Sequence, residues 1–179
     1  MIVIQMLLSI FFVSDLDNNP ETISQNYIQS YHKIAVLEMH RSGVPASITL
    51  AQALVETNSG QSDLARIAKN HFGIKCKRSW GGKTFAKKDD DRNAEGVLIK
   101  SCFRAYHTDL DSYIDHSNFL RSRENYINLF NLDGKDYEAW AKGLQQAGYS
   151  TDQTYAKKLI RKVEQYGLDK YDHHPYPGL

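Results

Sequence analysis

One stretch constrains this chain more than any other: Pro45-Ala-Ser-Ile-Thr-Leu-Ala-Gln-Ala-Leu-Val-Glu56-Thr-Asn-Ser-Gly60. From Ala46 to Val55 the residues are apolar or small on every side, which predicts a helix surrounded by protein and not one lying on a surface. Pro45 suits the first helical turn, where a missing N–H costs nothing, and Gly60 can end the segment in a left-handed conformation. Glu56, the only ionisable residue of the stretch, then falls in the last turn. Its carboxylate faces the negative end of the helix dipole while apolar neighbours exclude water, and both effects favour the protonated form. A carboxyl group kept neutral near physiological pH can deliver a proton.

The 179 residues, 41% hydrophobic and 24% charged, suffice for one domain with a real core. A formal net charge of +1 gives no electrostatic preference for nucleic acid or a membrane surface. Residues 1–13 are apolar, too short to span a bilayer, and read as the core of a secretory signal that ends by residue 19, although no Lys or Arg precedes them. Export without stable membrane insertion after processing is the expectation. Cys76 and Cys102 flank a proposed hairpin and fit either one disulfide of an exported protein or two buried thiols. With two Cys and no His pair at ligand spacing, no metal and no cofactor are expected. His71, His107 and His116 share no spacing that suggests a triad, so core or surface roles are expected for them.

A Thr22-x-x-Gln25 box opens a long first helix over roughly 23–41, and Ser62 caps a short third one. The pattern then changes: 80–88 and 96–106 read as two strands joined by a polar turn over Asp89-Asp-Asp-Arg-Asn-Ala-Glu95. Helices resume at the Thr108–Asp111 capping box, at Asp136, and at Thr151, the last ending at Gly167 with Leu159, Ile160, Val163 and Tyr166 inward. The tail 171–179 is expected to fray. This is an α+β architecture, a mostly helical body with a small β-hairpin lobe beside a cleft.

Four segments now stand in order: Leu50-Ala-Gln-Ala-Leu-Val-Glu56-Thr-Asn-Ser-Gly60, Asn70-His-Phe-Gly-Ile-Lys75, Cys102-Phe-Arg-Ala-Tyr106 and Ala147-Gly-Tyr-Ser-Thr-Asp152-Gln-Thr-Tyr155-Ala. Together they resemble the glucosaminidase domain of bacterial peptidoglycan hydrolases, the type found in flagellar hydrolases and autolysins, over roughly residues 23–170. The resemblance implies a lysozyme-like domain over 20–170. It also implies hydrolysis of the β-1,4 bond between N-acetylglucosamine and N-acetylmuramic acid, with peptidoglycan glycan strands as partner, no nucleic acid, a secreted or periplasmic location and a monomer. The family's acid falls on Glu56 and its motif tyrosine on Tyr149.

For a second carboxylate the comparison reaches Asp90 or Asp91, with Glu95 a weaker candidate; three consecutive Asp residues leave the register open, and they equally suit a solvated turn. The chemistry agrees with the independent reading of Glu56, since a glycosidic oxygen leaves readily only when protonated as its bond breaks. A carboxylate opposite it could hold a water or stabilise positive charge; alternatively the substrate's own 2-acetamido group could be the nucleophile. Phe72, Trp80 and Tyr106 offer apolar faces to sugars, or to the core, and Asn70 could bond an acetamido group or satisfy a turn. The rival readings are a muramidase or lytic transglycosylase with the same body and acid, and an inactive wall-binding domain.

Overall fold

The computed structural model describes residues 19–176, apart from the side chains of Asp90 and Asp91. The proposed signal segment thus lies outside the described residues except for Asn19, whose side chain accepts from Glu21 N and caps the first helix. In chain order the elements are α1 (Pro20–Ser42), α2 (Ala46–Thr57), α3 (Asp63–Arg66), β1 (Thr84–Arg92), β2 (Leu98–Arg104) and α4 (Asp109–Arg121). A 3-10 helix (Glu124–Asn131), α5 (Tyr137–Gln146), α6 (Tyr155–Tyr166) and a second 3-10 helix (Leu168–His173) complete the chain.

Helix α2 is the axle of the body. Residues Ala46 to Leu54 are all buried, and α1, α5, α6 and the last 3-10 helix pack around them. Ile48 and Leu50 are wholly inaccessible, each side chain contributing about 1.5–3 kcal/mol by leaving water. Pro45 precedes α2 as its N-cap and has no side chain to cap with. Asp172 does this instead: its Oδ1 accepts from Ser47 N at 2.8 Å. The expectation of a frayed tail from Tyr171 is therefore corrected at its start, because Tyr171 and Asp172 are buried and a carboxylate there meets the positive end of the α2 dipole.

The end of α2 also differs from expectation. Asn58, at φ 51°, adopts the left-handed cap, and its N–H returns to Leu54 O. Asparagine tolerates this conformation. Gly60 comes two residues later at φ +80°, where a Cβ would lie 2.6 Å from the Tyr27 ring, so the glycine is required for close packing as well as for backbone freedom.

The hairpin forms as expected but with different bounds. β1 and β2 pair antiparallel from Thr84↔Arg104 to Lys88↔Lys100, then shift register before Arg92↔Leu98. The turn is Asn93–Gly96, closed by Gly96 N→Asn93 O and Asn93 N→Val97 O. Asp89, Asp90 and Asp91 thus belong to the strand and its irregularity, not to the turn. A small separate core of Leu64, Ala68 and Phe103 ties the hairpin to the body. Cys76 and Cys102 form a disulfide with Cα atoms 5.3 Å apart, which resolves the two readings left open above. Closing a loop of sequence separation 26 this way stabilises by about 3 kcal/mol in the chain-entropy picture.

Candidate active site

Glu56 sits in the last turn of α2, half-buried, on the floor of a cavity of about 320 Å³. The segment Phe72-Gly73-Ile74-Lys75 lines it, reached through a turn that Asn70 holds together. Tyr149, Phe119 and Arg123 also line it, the guanidinium lying 3.8 Å from the Phe119 ring centre. Gly73, at φ +64°, presents no side chain, and a Cβ there would lie 3.7 Å from Glu56 Oε2. One carboxyl oxygen is thereby left facing the cavity.

The other oxygen, Oε1, accepts from Tyr155 Oη–H at 2.9 Å. Burial pushes the Glu56 pKa up to about 7; the Tyr155 hydrogen bond and the Lys158 charge pull it down but do not cancel the desolvation. Lys158 is itself held by Asp152 at 2.5 Å. Asp152, which also accepts from Thr154 N and Oγ1, is pushed down to about 2, chiefly by Lys158 and Thr154. The Asp152 carboxylate and the Asp152 O that receives Tyr155 N organise the start of α6, the helix that delivers Tyr155. Glu56 therefore has an acid form that persists to near neutrality and a direct view of a cleft.

Tyr149 joins it. The phenol lines the cavity, donates a long 3.4 Å bond to Phe72 O and stacks on Tyr155 with ring centres 5.5 Å apart. Burial, followed by the nearby Glu56 charge, raises its pKa well above the usual phenol value, so it remains a neutral donor. Phe72 also lines the cavity, although only 2% of it is exposed.

The remaining sequence candidates are placed differently. Asn70 is wholly buried and does not line the cavity: its Nδ2 donates to Ile74 O and Arg104 O, and its Oδ1 accepts from Phe72 N and Ile74 N. Its amide is saturated by backbone, so it shapes the turn and has nothing left for an acetamido group. Tyr106 is similarly committed, its hydroxyl donating to Asp115 Oδ2 at 2.6 Å. Trp80 donates to Lys83 O and lies under the Arg104 guanidinium at 4.6 Å. Neither aromatic is part of the cavity lining. The side chains of Asp90 and Asp91 lie outside what is described; Asp89 pairs with Lys75, a cavity-lining residue, at 2.8 Å. Glu95 is exposed in the hairpin turn, away from the cavity lining.

Sequence reasoning gave no role to Tyr155 or Gln52, although Gln52 precedes Glu56 by four residues and so shares its helix face. Among the described residues no group of His, Cys, Asp or Glu could hold a metal ion. A larger groove of about 630 Å³ runs between the start of α1 and α6, past Lys158, Arg161 and Lys162. Glu56 does not line it, and it holds no buried acid.

Comparison with known proteins gives a consistent set of relatives. A family model described as mannosyl-glycoprotein endo-beta-N-acetylglucosaminidase matches residues 32–168. The exo-glucosaminidase LytG of Bacillus subtilis is 35% identical over 153 residues, covering 83% of this chain and 53% of that protein. The peptidoglycan hydrolase FlgJ of Vibrio cholerae is 34% identical over 135 residues, covering 72% of this chain and 40% of that protein. The chain thus spans about half the length, or less, of these curated relatives. The catalytic domain of the autolysin Auto from Listeria monocytogenes superposes with a TM-score of 0.73 at 29% identity, covering 84% of this chain and 88% of that domain.

Proposed function

The chain belongs to the glucosaminidase family, and on that premise we propose that it is a peptidoglycan hydrolase that cuts the β-1,4 bond between N-acetylglucosamine and N-acetylmuramic acid. The observation that carries the reading is one half-buried carboxyl at a cavity, Glu56, raised to about 7 and open to a cleft on one oxygen. Glu56 is the general acid: its proton passes to the bridging oxygen as the glycosidic bond breaks. Tyr149, a neutral donor at the same cavity, orients the substrate's acetamido group or the attacking water. Asp91 or Asp90 serves as the second carboxylate, unless the acetamido group itself attacks the anomeric carbon. Phe72 presents an apolar edge to a sugar ring.

The domain that does this work runs from residue 20 to about 170, acts as a monomer, and is secreted or periplasmic. The Cys76–Cys102 disulfide supports an oxidising compartment. No helix among the described residues is long and apolar enough to cross a membrane.

Digestion of purified peptidoglycan, followed by mass spectrometry of the fragments, tests the bond assignment. N-acetylglucosamine at the new reducing ends is expected. Muramic acid there would make the protein a muramidase, and an anhydro sugar a lytic transglycosylase. Walls left intact by the wild type would leave only the binding-domain reading.

A further inference from the structure

The hydrogen bonds behind Glu56 have a direction, and that direction decides which oxygen carries the proton. His116, wholly buried on α4, has its Nε2 3.1 Å from Gln52 Oε1. An amide oxygen can only accept, so Nε2 carries the hydrogen. The other ring nitrogen, Nδ1, has no partner among the described residues, which leaves this tautomer as the satisfied one. Gln52 Nε2 in turn donates to Tyr155 Oη at 3.1 Å, and Tyr155 donates its one hydrogen to Glu56 Oε1 at 2.9 Å.

We infer that Tyr155, oriented by Gln52 and through it by His116, is a positioning residue that reserves the acid proton for Glu56 Oε2, the oxygen facing the cleft. A hydrogen on Oε1 would point at the phenol hydrogen already there. Among the described residues, one on Oε2 meets only the open side beside Gly73. The inference rests on Glu56 being the acid, and it adds the reason why that acid delivers its proton outward.

Two features keep the relay rigid. Tyr155 is 2% exposed and stacked on Tyr149, and the His116 ring lies on Phe72 with centres 3.9 Å apart and planes 14° from parallel. The relay thus joins the cleft wall to the acid through side chains from α2, α4 and α6. Burial lowers the His116 pKa to about 3, so the imidazole stays neutral and the polarity of the relay does not reverse over the working range. The charged and titratable groups around Glu56 are Tyr155 and Lys158 from α6, Tyr149 from the preceding loop, and Lys75, Lys77 and Arg123 from the cavity walls. Among the described residues only Tyr155 bonds the carboxyl directly.

Tyr155→Phe removes the hydroxyl and keeps the ring. Its hydrogen bond holds the Glu56 pKa down, so the alkaline limb of the rate profile, and the midpoint of the Glu56 carboxyl carbon titration by NMR, should both move to higher pH. The turnover number should fall about tenfold with KM within about twofold, as for loss of one charge-assisted hydrogen bond in the transition state. Gln52→Met, which frees the phenol without removing it, should move both midpoints the same way by less, and it provides the readout if Tyr155→Phe does not fold. A folded Tyr155→Phe protein with an unmoved limb and titration, whatever its rate, overturns the inference. Glu56→Gln is the separate control: if that variant still cleaves, the assignment of the acid fails, and not merely its positioning.

Discussion

Glu38 and Glu56 lie near the C-terminal ends of consecutive helices, and their surroundings set them to different work. Glu38 is 1% exposed, yet Arg41 meets both its oxygens, Nε at 2.8 Å and Nη2 at 2.6 Å. A guanidinium matched in this way makes a bidentate structural clamp between α1 and α4, where Arg41 also reaches Asn118. Among the described residues Glu56 has no cation in contact. Its direct partner there is a neutral phenol, Lys158 acts on it at a distance, and its second oxygen faces a cavity. A carboxylate in a helical core is therefore an acid or a fastener according to whether its partner carries charge.

The largest effect that sharpens this contrast is on turnover. Glu56→Gln keeps shape and the Tyr155 contact but has no proton of carboxylic acidity, so wall hydrolysis should fall about a thousandfold or more while the fold persists. Zymography and circular dichroism together check this. The wild-type rate should decline as pH rises through about 7, where the acid form is lost.

Stability should follow the same titration with a definite sign. Folded Glu56 holds its proton to about 7, whereas in the unfolded chain it releases it near the ordinary glutamate value of 4.5. Raising pH between those values favours the unfolded chain, so unfolding free energy should drop across that window by at most about 3 kcal/mol. Urea melts at several pH values measure the slope, and Glu56→Gln should flatten it. A slope unchanged by the substitution would mean that Glu56 is not the group held protonated.

Glu38→Gln should do the reverse. Loss of the bidentate pair should cost about 2 kcal/mol of stability, moderated because Arg41 is 42% exposed and can rehydrate. Catalytic rate and its pH limb should stay put. A shifted limb would show that the two glutamates are coupled and that the contrast between them is too sharp.

Much of this was legible in the residues themselves. An apolar helix with one carboxylate in its last turn is a local pattern, as are the capping box of α4, in which Thr108 and Asp111 exchange bonds, and the left-handed Gly167 after α6. What escaped depends on distant partners. Asn70 looks free to bind a sugar until Arg104 O, thirty-four positions away in the chain, takes one of its hydrogens. Tyr155 meets Glu56 across a separation of 99, and His116 meets Gln52 across 64. Gln52 alone carried a readable sign, its position four residues before Glu56. The strand bounds slipped because Lys- and Asp-rich residues that look like a turn are tolerated on an exposed, irregular edge of a two-stranded hairpin.

The smallest expected effect belongs to that hairpin. Asp89 and Lys75 form an ion pair at 2.8 Å, with both side chains more than a third exposed. Water and salt screen such pairs, so Asp89→Asn should change stability by no more than about 0.5 kcal/mol. Because Lys75 lines the cavity, the informative reading is kinetic. If the hairpin carboxylates only border the cleft, Asp89→Asn should shift KM slightly, by a salt-sensitive amount, and leave turnover alone. A fall in turnover approaching that of Glu56→Gln would move the second carboxylate to Asp89, and the hairpin would then share the chemistry that the helical wall is here assigned.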